Sequence, residues 1–167
     1  MSINILATIG RNNELRKNKK LIWIIPEDMK FYEKIIKIDN NKKNYLVIDE
    51  NELDILPRKL FNSNLIVLGD KKLEKYYDIV CYSNVKEIIK YFNKENLFIY
   101  GDVNIYEKFI DYTDNIYLTE LDSVDYEADS YFPWFDLKEW DIQNILEDTI
   151  DKNILYKRNK YVRKRVK

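Results

Sequence analysis

Short apolar runs recur along this chain at intervals filled by helical patterns, and that alternation fixes the fold class before any single residue is considered. INILATI (3 to 9), YLVI (45 to 48), LIVLG (65 to 69), DIVCY (78 to 82), LFIYG (97 to 101) and IYLTEL (116 to 121) have the length and composition of strands. Several are apolar throughout, as strands covered on both faces of a sheet must be. Between them, PEDMKFYEKIIKI (26 to 38) opens with Pro and two acids, which suits a helix N-terminus. Asn84, with Glu87 three residues later, starts VKEIIKYF like a capping box, and Asp102 precedes VNIYEKFI in the same way. The βαβα order predicts an α/β domain with a mostly parallel, twisted sheet flanked by helices. After residue 121 the helical pattern stops, and WDIQNIL and NILYKRNKYVRKRV read as an antiparallel hairpin at the sheet edge. With 167 residues and no internal repeat or Gly/Ser-rich linker, residues 1–167 are expected to form a single domain.

Composition excludes much of the chemistry such a fold can host. There is no histidine and one cysteine, so a Ser-His-Asp triad, a Cys-His dyad, a disulfide framework and a His/Cys zinc site are ruled out, and no metal is expected. Acid-base work is left to carboxylates, Tyr and Lys. Cys81 sits in the apolar alternation DIVCY and reads as a buried structural thiol. The 28 Lys and Arg nearly balance the 29 Asp and Glu, so net charge gives no reason to expect nucleic acid. No apolar run has membrane-span length and the N-terminal residues lack a signal-peptide pattern, so a cytoplasmic, membrane-free protein is expected, with a monomer favoured.

The stretch LIWIIPEDMKFYEKI (21 to 35) holds one carboxylate in an awkward place. Glu27 reads as ordinary helix-start chemistry. Asp28, however, shares a helix side with Phe31, Tyr32 and Ile35, the expected core face. Apolar surroundings disfavour a carboxylate's charged form, and that keeps an acid available to protonate a substrate near neutral pH. Capping and chemistry both remain open for it at this point.

Ala7, the spacing Trp23-x-x-Pro26-x-Asp28, IYGDVNIYEKF, IYLTELD and EADSYFP are collinear along nearly the whole chain, and in that order the sequence resembles dihydrofolate reductase. The resemblance implies a dihydrofolate-reductase-like fold and NAD(P)H-dependent reduction of 7,8-dihydrofolate to tetrahydrofolate, with a pterin or folate as the small-molecule partner. It implies that Asp28 bonds the pterin's amino-pyrimidine edge and promotes protonation at N5. Trp23 closes the pocket and anchors an ordered water, and Thr119 bonds the acid. Leu6, Ala7, Met29, Tyr32 and Leu56 fall where the family lines its folate pocket, and Tyr106 where it places an aromatic near the nicotinamide. Residues 10 to 21 correspond to a mobile loop that closes over the site. Arg58 is the nearest basic candidate for the folate glutamate, although the family's usual arginine aligns with Asn62. On this reading Asp28→Asn removes ligand binding and leaves the fold intact.

The cofactor half departs from the family pattern. Asp49, Glu50, Asn51 and Glu52 stand where a Gly-Arg-x-Thr run takes phosphates, and carboxylates there repel a pyrophosphate. Gly69 and Asp70 stand where the 2′-phosphate is selected, followed by Lys71 and Lys72, which favours NADH over NADPH if either binds. Gly101-Asp102 replaces a Gly-Gly pair, and Asp102 is expected to cap the following helix where a phosphate oxygen would bind. Tyr100 replaces a small aliphatic residue near the pterin, and Arg16 a loop glycine.

Two functional readings follow: a dihydrofolate reductase altered in its cofactor site, and a non-catalytic homologue that binds a pterin, a folate or a protein partner. A third feature is the basic C-terminus YKRNKYVRKRVK. It reads either as a contact for a polyanion or, more simply, as charge on an exposed edge strand that blocks edge-to-edge pairing.

Overall fold

A computed structural model describes residues 1–37, 43–61 and 63–165. The first apolar run becomes β1 (Ser2–Ile9), which lies inside the main sheet, flanked by two parallel neighbours. The chain continues through β2 (Glu14–Lys17), β3 (Lys20–Leu21), α1 (Pro26–Lys37), β4 (Asn44–Asp49), α2 (Arg58–Phe61), β5 (Leu65–Leu68), β6 (Val80–Tyr82), α3 (Val85–Tyr91) and β7 (Asn96–Ile99). It ends with α4 (Val103–Phe109), β8 (Asn115–Leu121), β9 (Ser130–Tyr131), β10 (Trp140–Asp151) and β11 (Ile154–Arg163).

The main sheet has the order β10-β11-β8-β1-β7-β4-β5-β6. From β8 to β6 every pairing is parallel, and β11 and β10 are added antiparallel beside β8. The mostly parallel α/β sheet with a C-terminal hairpin at its edge is therefore the architecture the sequence predicts. Asn84 caps α3 by accepting from the Glu87 backbone N–H at 2.9 Å, and Asp102 caps α4 by accepting from that of Val103 at 2.7 Å.

Two features differ from expectation. The basic C-terminal strand is not an edge: β11 lies between β10 and β8, and β10 forms the border. Arg158 is consequently buried rather than a solvent-facing guard. Residues 10 to 21, expected as a loop, contribute β2 and β3, which join β9 in a second, small sheet. Strands this short carry too few residues to show a period of two.

The pleat of β1 divides the core. Ile3, Ile5, Ala7 and Ile9 pack with Ile88, Ile105, Tyr106 and Phe109 on the side of α3 and α4. Leu6 packs with Tyr32 and Ile36 of α1 on the other side. Cys81 is a fully buried free thiol in that second cluster. Thr8 lies two residues beyond Leu6 and so faces α1 as well. That is the face that carries the site. No helix of the described residues is long and apolar enough to cross a membrane.

Candidate functional site

Strand register assembles the polar centre. Thr8 of β1 pairs with Thr119 of β8, and Thr119 pairs in turn with Arg158 of β11. Three polar side chains therefore stand in a row across neighbouring strands, facing the first turn of α1. Asp28 comes down onto that row. Its Oδ1 accepts from the Thr119 hydroxyl at 2.6 Å and from the Arg158 guanidinium, and its Oδ2 accepts from the Thr8 hydroxyl at 2.6 Å. Arg158 also donates through Nε to Thr119 at 3.1 Å, and its guanidinium lies 4.2 Å from the centroid of the Phe31 ring. The Thr8 proton is committed to Asp28, so the Tyr32 hydroxyl, 2.8 Å away, donates to Thr8. Burial holds the Tyr32 phenol well above its ordinary range, consistent with that donor role.

These contacts correct the expectation of apolar surroundings for Asp28. Its side chain is 2 % exposed, yet it is ion-paired with an Arg158 side chain that is 7 % exposed. The neighbour arrives through sheet topology, which the periodicity of α1 does not report. Three donors occupy a carboxylate with about four lone-pair positions, and the open position is on Oδ2.

Trp23 is buried beside this centre, but its indole N–H donates to the Glu14 carbonyl at 3.0 Å. The single indole donor is thus satisfied by backbone, which corrects the role of anchoring a water. Glu14 is itself buried and accepts from the backbone N–H groups of Asn12 (2.6 Å) and Asp125 (2.7 Å). Gly10 makes this packing possible: a Cβ there would stand 2.6 Å from Trp23 Cζ2 and 2.7 Å from Glu14 Oε1.

A mostly apolar cavity of about 200 Å³ opens beside Asp28 and Thr8. Trp23, Met29, Tyr100, Gly101, Tyr106 and Arg16 line it. Arg16 is buried and pairs with buried Glu52 at 2.6 Å, each side chain being 3 % exposed. It also donates to the carbonyls of Gly101 (3.1 Å) and Lys19 (3.3 Å). Among the described residues, Arg16 Nε, Glu52 Oε2 and the Tyr100 hydroxyl have no hydrogen-bond partner. Burial pushes the Glu52 carboxyl up, with Arg16 pulling part of the way back. Tyr106 donates to the Leu6 carbonyl at 2.6 Å and accepts from the Gly101 N–H at 3.2 Å.

The other acids expected from sequence at the phosphate positions bond the protein's own backbone and side chains. Asp49 accepts from Asn51 N at 3.0 Å. Glu50 lies against Gly69, where an added Cβ would meet its carboxylate at 2.9 Å, and accepts from Asp70 N at 3.3 Å. Asp70 accepts from Lys72 N at 2.9 Å, and the Lys71 ammonium lies 5.7 Å from the Tyr82 ring centroid. Asp102, besides capping α4, takes the Ser130 hydroxyl. No described peptide bond is cis, Gly101–Asp102 included.

Of the residues singled out from sequence, the structure gathers Asp28, Trp23, Thr119, Met29, Tyr100, Gly101 and Tyr106 at one place. Leu6, Tyr32 and Leu56 belong to the core behind the cavity, and Ala7 to the opposite cluster. Arg58 is exposed at the start of α2 and does not line the cavity, while Gly69 and Lys71 lie apart from it. Asn62 lies outside the described residues. Sequence reasoning missed Thr8, Glu14 and Arg158, and it noted Arg16 and Glu52 without seeing that they pair. Among the described residues no group of His, Cys, Asp or Glu is arranged to hold a metal ion.

Comparison with known proteins identifies the family. The sequence model of the family described as dihydrofolate reductase matches residues 2–164. The dihydrofolate reductase of Bacillus subtilis (strain 168) is 22 % identical over 155 residues, covering 92 % of this chain and 89 % of that protein. That of Staphylococcus haemolyticus is 22 % identical over 162 residues (96 % and 91 %). That of Buchnera aphidicola subsp. Acyrthosiphon pisum (strain APS) is 26 % identical over 137 residues (82 % of each). The chain therefore belongs to the dihydrofolate reductase family, a family of folate-reducing oxidoreductases that in general use NADPH.

Proposed function

We propose that this member of the family binds a pterin or folate-type heterocycle in the cavity at Asp28 and does not reduce it with NADPH or NADH. The observation that carries the reading is the buried Arg16–Glu52 ion pair. It spans the place where the family pattern puts a loop glycine on one side and the phosphate-binding Thr on the other. A nicotinamide and its pyrophosphate need that volume, and they need donors facing them. Here Arg16 is turned onto Glu52 and the Gly101 carbonyl, and Glu52, Asp49, Glu50 and Asp102 bring acids to a polyanion. These residues do not fit a dinucleotide.

The heterocycle half supports binding. The cavity is walled by Trp23, Leu15, Met29 and Tyr100, and it reaches Asp28, whose Oδ2 keeps one lone-pair position open. Small-molecule sites generally combine this kind of apolar wall with a few converging polar groups. A flat ring with an N–H on its edge satisfies both.

A second reading, dihydrofolate reduction, is favoured by one observation: Asp28 and Thr119 are bonded at 2.6 Å beside Trp23, in the family's arrangement. It requires Arg16 and Glu52 to separate and admit the cofactor. The two readings part on turnover. With saturating dihydrofolate and either reduced nicotinamide, the proposal expects no turnover above the uncatalysed rate. A rate on the order of 1 s⁻¹ or more, typical of working enzymes, overturns it.

A further inference from the structure

We infer that Arg158 sets the charge of the ligand this pocket accepts, excluding cationic amino-heterocycles in favour of neutral ones; the inference rests on the pterin-type binding proposed above. An unpaired buried carboxylate attracts a protonated heterocycle, because the ligand brings both hydrogen-bond donors and the missing countercharge. Here the countercharge is already built in. Arg158 contacts Oδ1 and lies over Phe31, and Thr119 fills the second position on the same oxygen. What remains is one lone pair on Oδ2, beside the Thr8 hydroxyl.

A ligand arriving there meets a carboxylate whose charge is balanced from behind. A second positive charge on the other carboxylate oxygen is repelled by the guanidinium, and burial leaves little solvent to screen it. A neutral ring N–H meets no such penalty and still finds its acceptor. The other ionisable groups near the acid include the phenols of Tyr32, Tyr100 and Tyr156, all pushed up, chiefly by burial. Arg16, which also lines the cavity, is matched by Glu52. The lining thus carries no uncompensated negative charge for a cation to answer. Arg158 itself does not line the cavity, so its effect is exerted through Asp28 as a specificity-determining residue.

The test is equilibrium binding, read by quenching of tryptophan fluorescence, of two probes: neutral 7,8-dihydropterin and 2,4-diaminopyrimidine, the latter below and above its own pKa. On the wild-type protein, dihydropterin binds, and diaminopyrimidine binds at least roughly tenfold more weakly when protonated than when neutral. In Arg158→Met that order reverses, the protonated form gaining at least roughly tenfold while dihydropterin changes little. The wild-type pH profile alone decides the matter if the variant does not fold. Tighter wild-type binding of the protonated form overturns the inference and leaves the pterin-type reading standing. Failure of both probes to bind the folded wild-type protein overturns that reading and the inference with it.

Discussion

Arg158 and Asp28, 130 positions apart in the sequence, form a buried ion pair in which the guanidinium and the Thr119 hydroxyl share one carboxylate oxygen. The pair exists because β11 enters the sheet beside β8, in a register that sets Arg158 opposite Thr119. An acid expected to stand alone against apolar side chains is instead part of a neutral cluster.

That changes the expected behaviour of Asp28→Asn. Removing one charge of a buried pair leaves the other uncompensated, which typically costs about 3–5 kcal/mol. The single variant should therefore be destabilised by about that much, and should not simply lose ligand with its fold untouched. Arg158→Met should be the milder change, because Thr8 and Thr119 still donate to Asp28. Urea unfolding of both singles and the double variant gives the coupling. Costs that add with no interaction energy contradict the pairing.

Glu52 provides a pH signature. Its carboxyl is raised by burial above the 4.5 of an ordinary glutamate. A carboxyl raised in the folded state holds its proton more tightly there than in the unfolded chain. Its contribution to stability is full below the unfolded value and is lost as pH climbs through the folded one. Glu52→Gln does not titrate, so the variant should gain on the wild type as pH rises above 4.5. Asp49, also raised by burial, has the same sign but is present in both proteins and cancels. Urea midpoints of the two proteins across this window check it, and a difference that shrinks with rising pH contradicts it.

Gly10→Ala should be destabilising even though the residue carries no chemistry. The new Cβ would lie within 3 Å of Trp23 and Glu14, one holding the cavity wall and the other the backbone of two loops. Overpacking of this kind costs typically 1–3 kcal/mol. Thermal unfolding gives the loss, and a shift in tryptophan emission reports displacement of Trp23. Unchanged stability contradicts the close approach.

The parts of the site that lie close together in sequence were legible. Trp23, Pro26 and Asp28 fall within six residues of chain, and Asp102 announces a cap by its position before VNIYEKF. The parallel sheet was legible too, because strands buried on both faces show uninterrupted apolar runs. Arg158 was not. It sits among lysines and arginines that look alike on paper, and only the sheet order distinguishes the one turned inward. Arg16 could be seen to replace a glycine, but it sits in a small sheet whose strands are too short to carry a pattern, while its partner Glu52 follows β4 of the main sheet.

The most direct test of the central claim is thermal unfolding with dihydrofolate, NADPH and NADH added separately. A ligand at 100 times its Kd adds about 2.7 kcal/mol, a shift of roughly 5–10 °C for a chain of this size. The account predicts such a rise with dihydrofolate and none with either nicotinamide, because on the proposed reading the buried Arg16–Glu52 pair leaves no room or donors for a dinucleotide. A rise with NADPH or NADH alone would show that the pair opens for a dinucleotide, and would contradict the account.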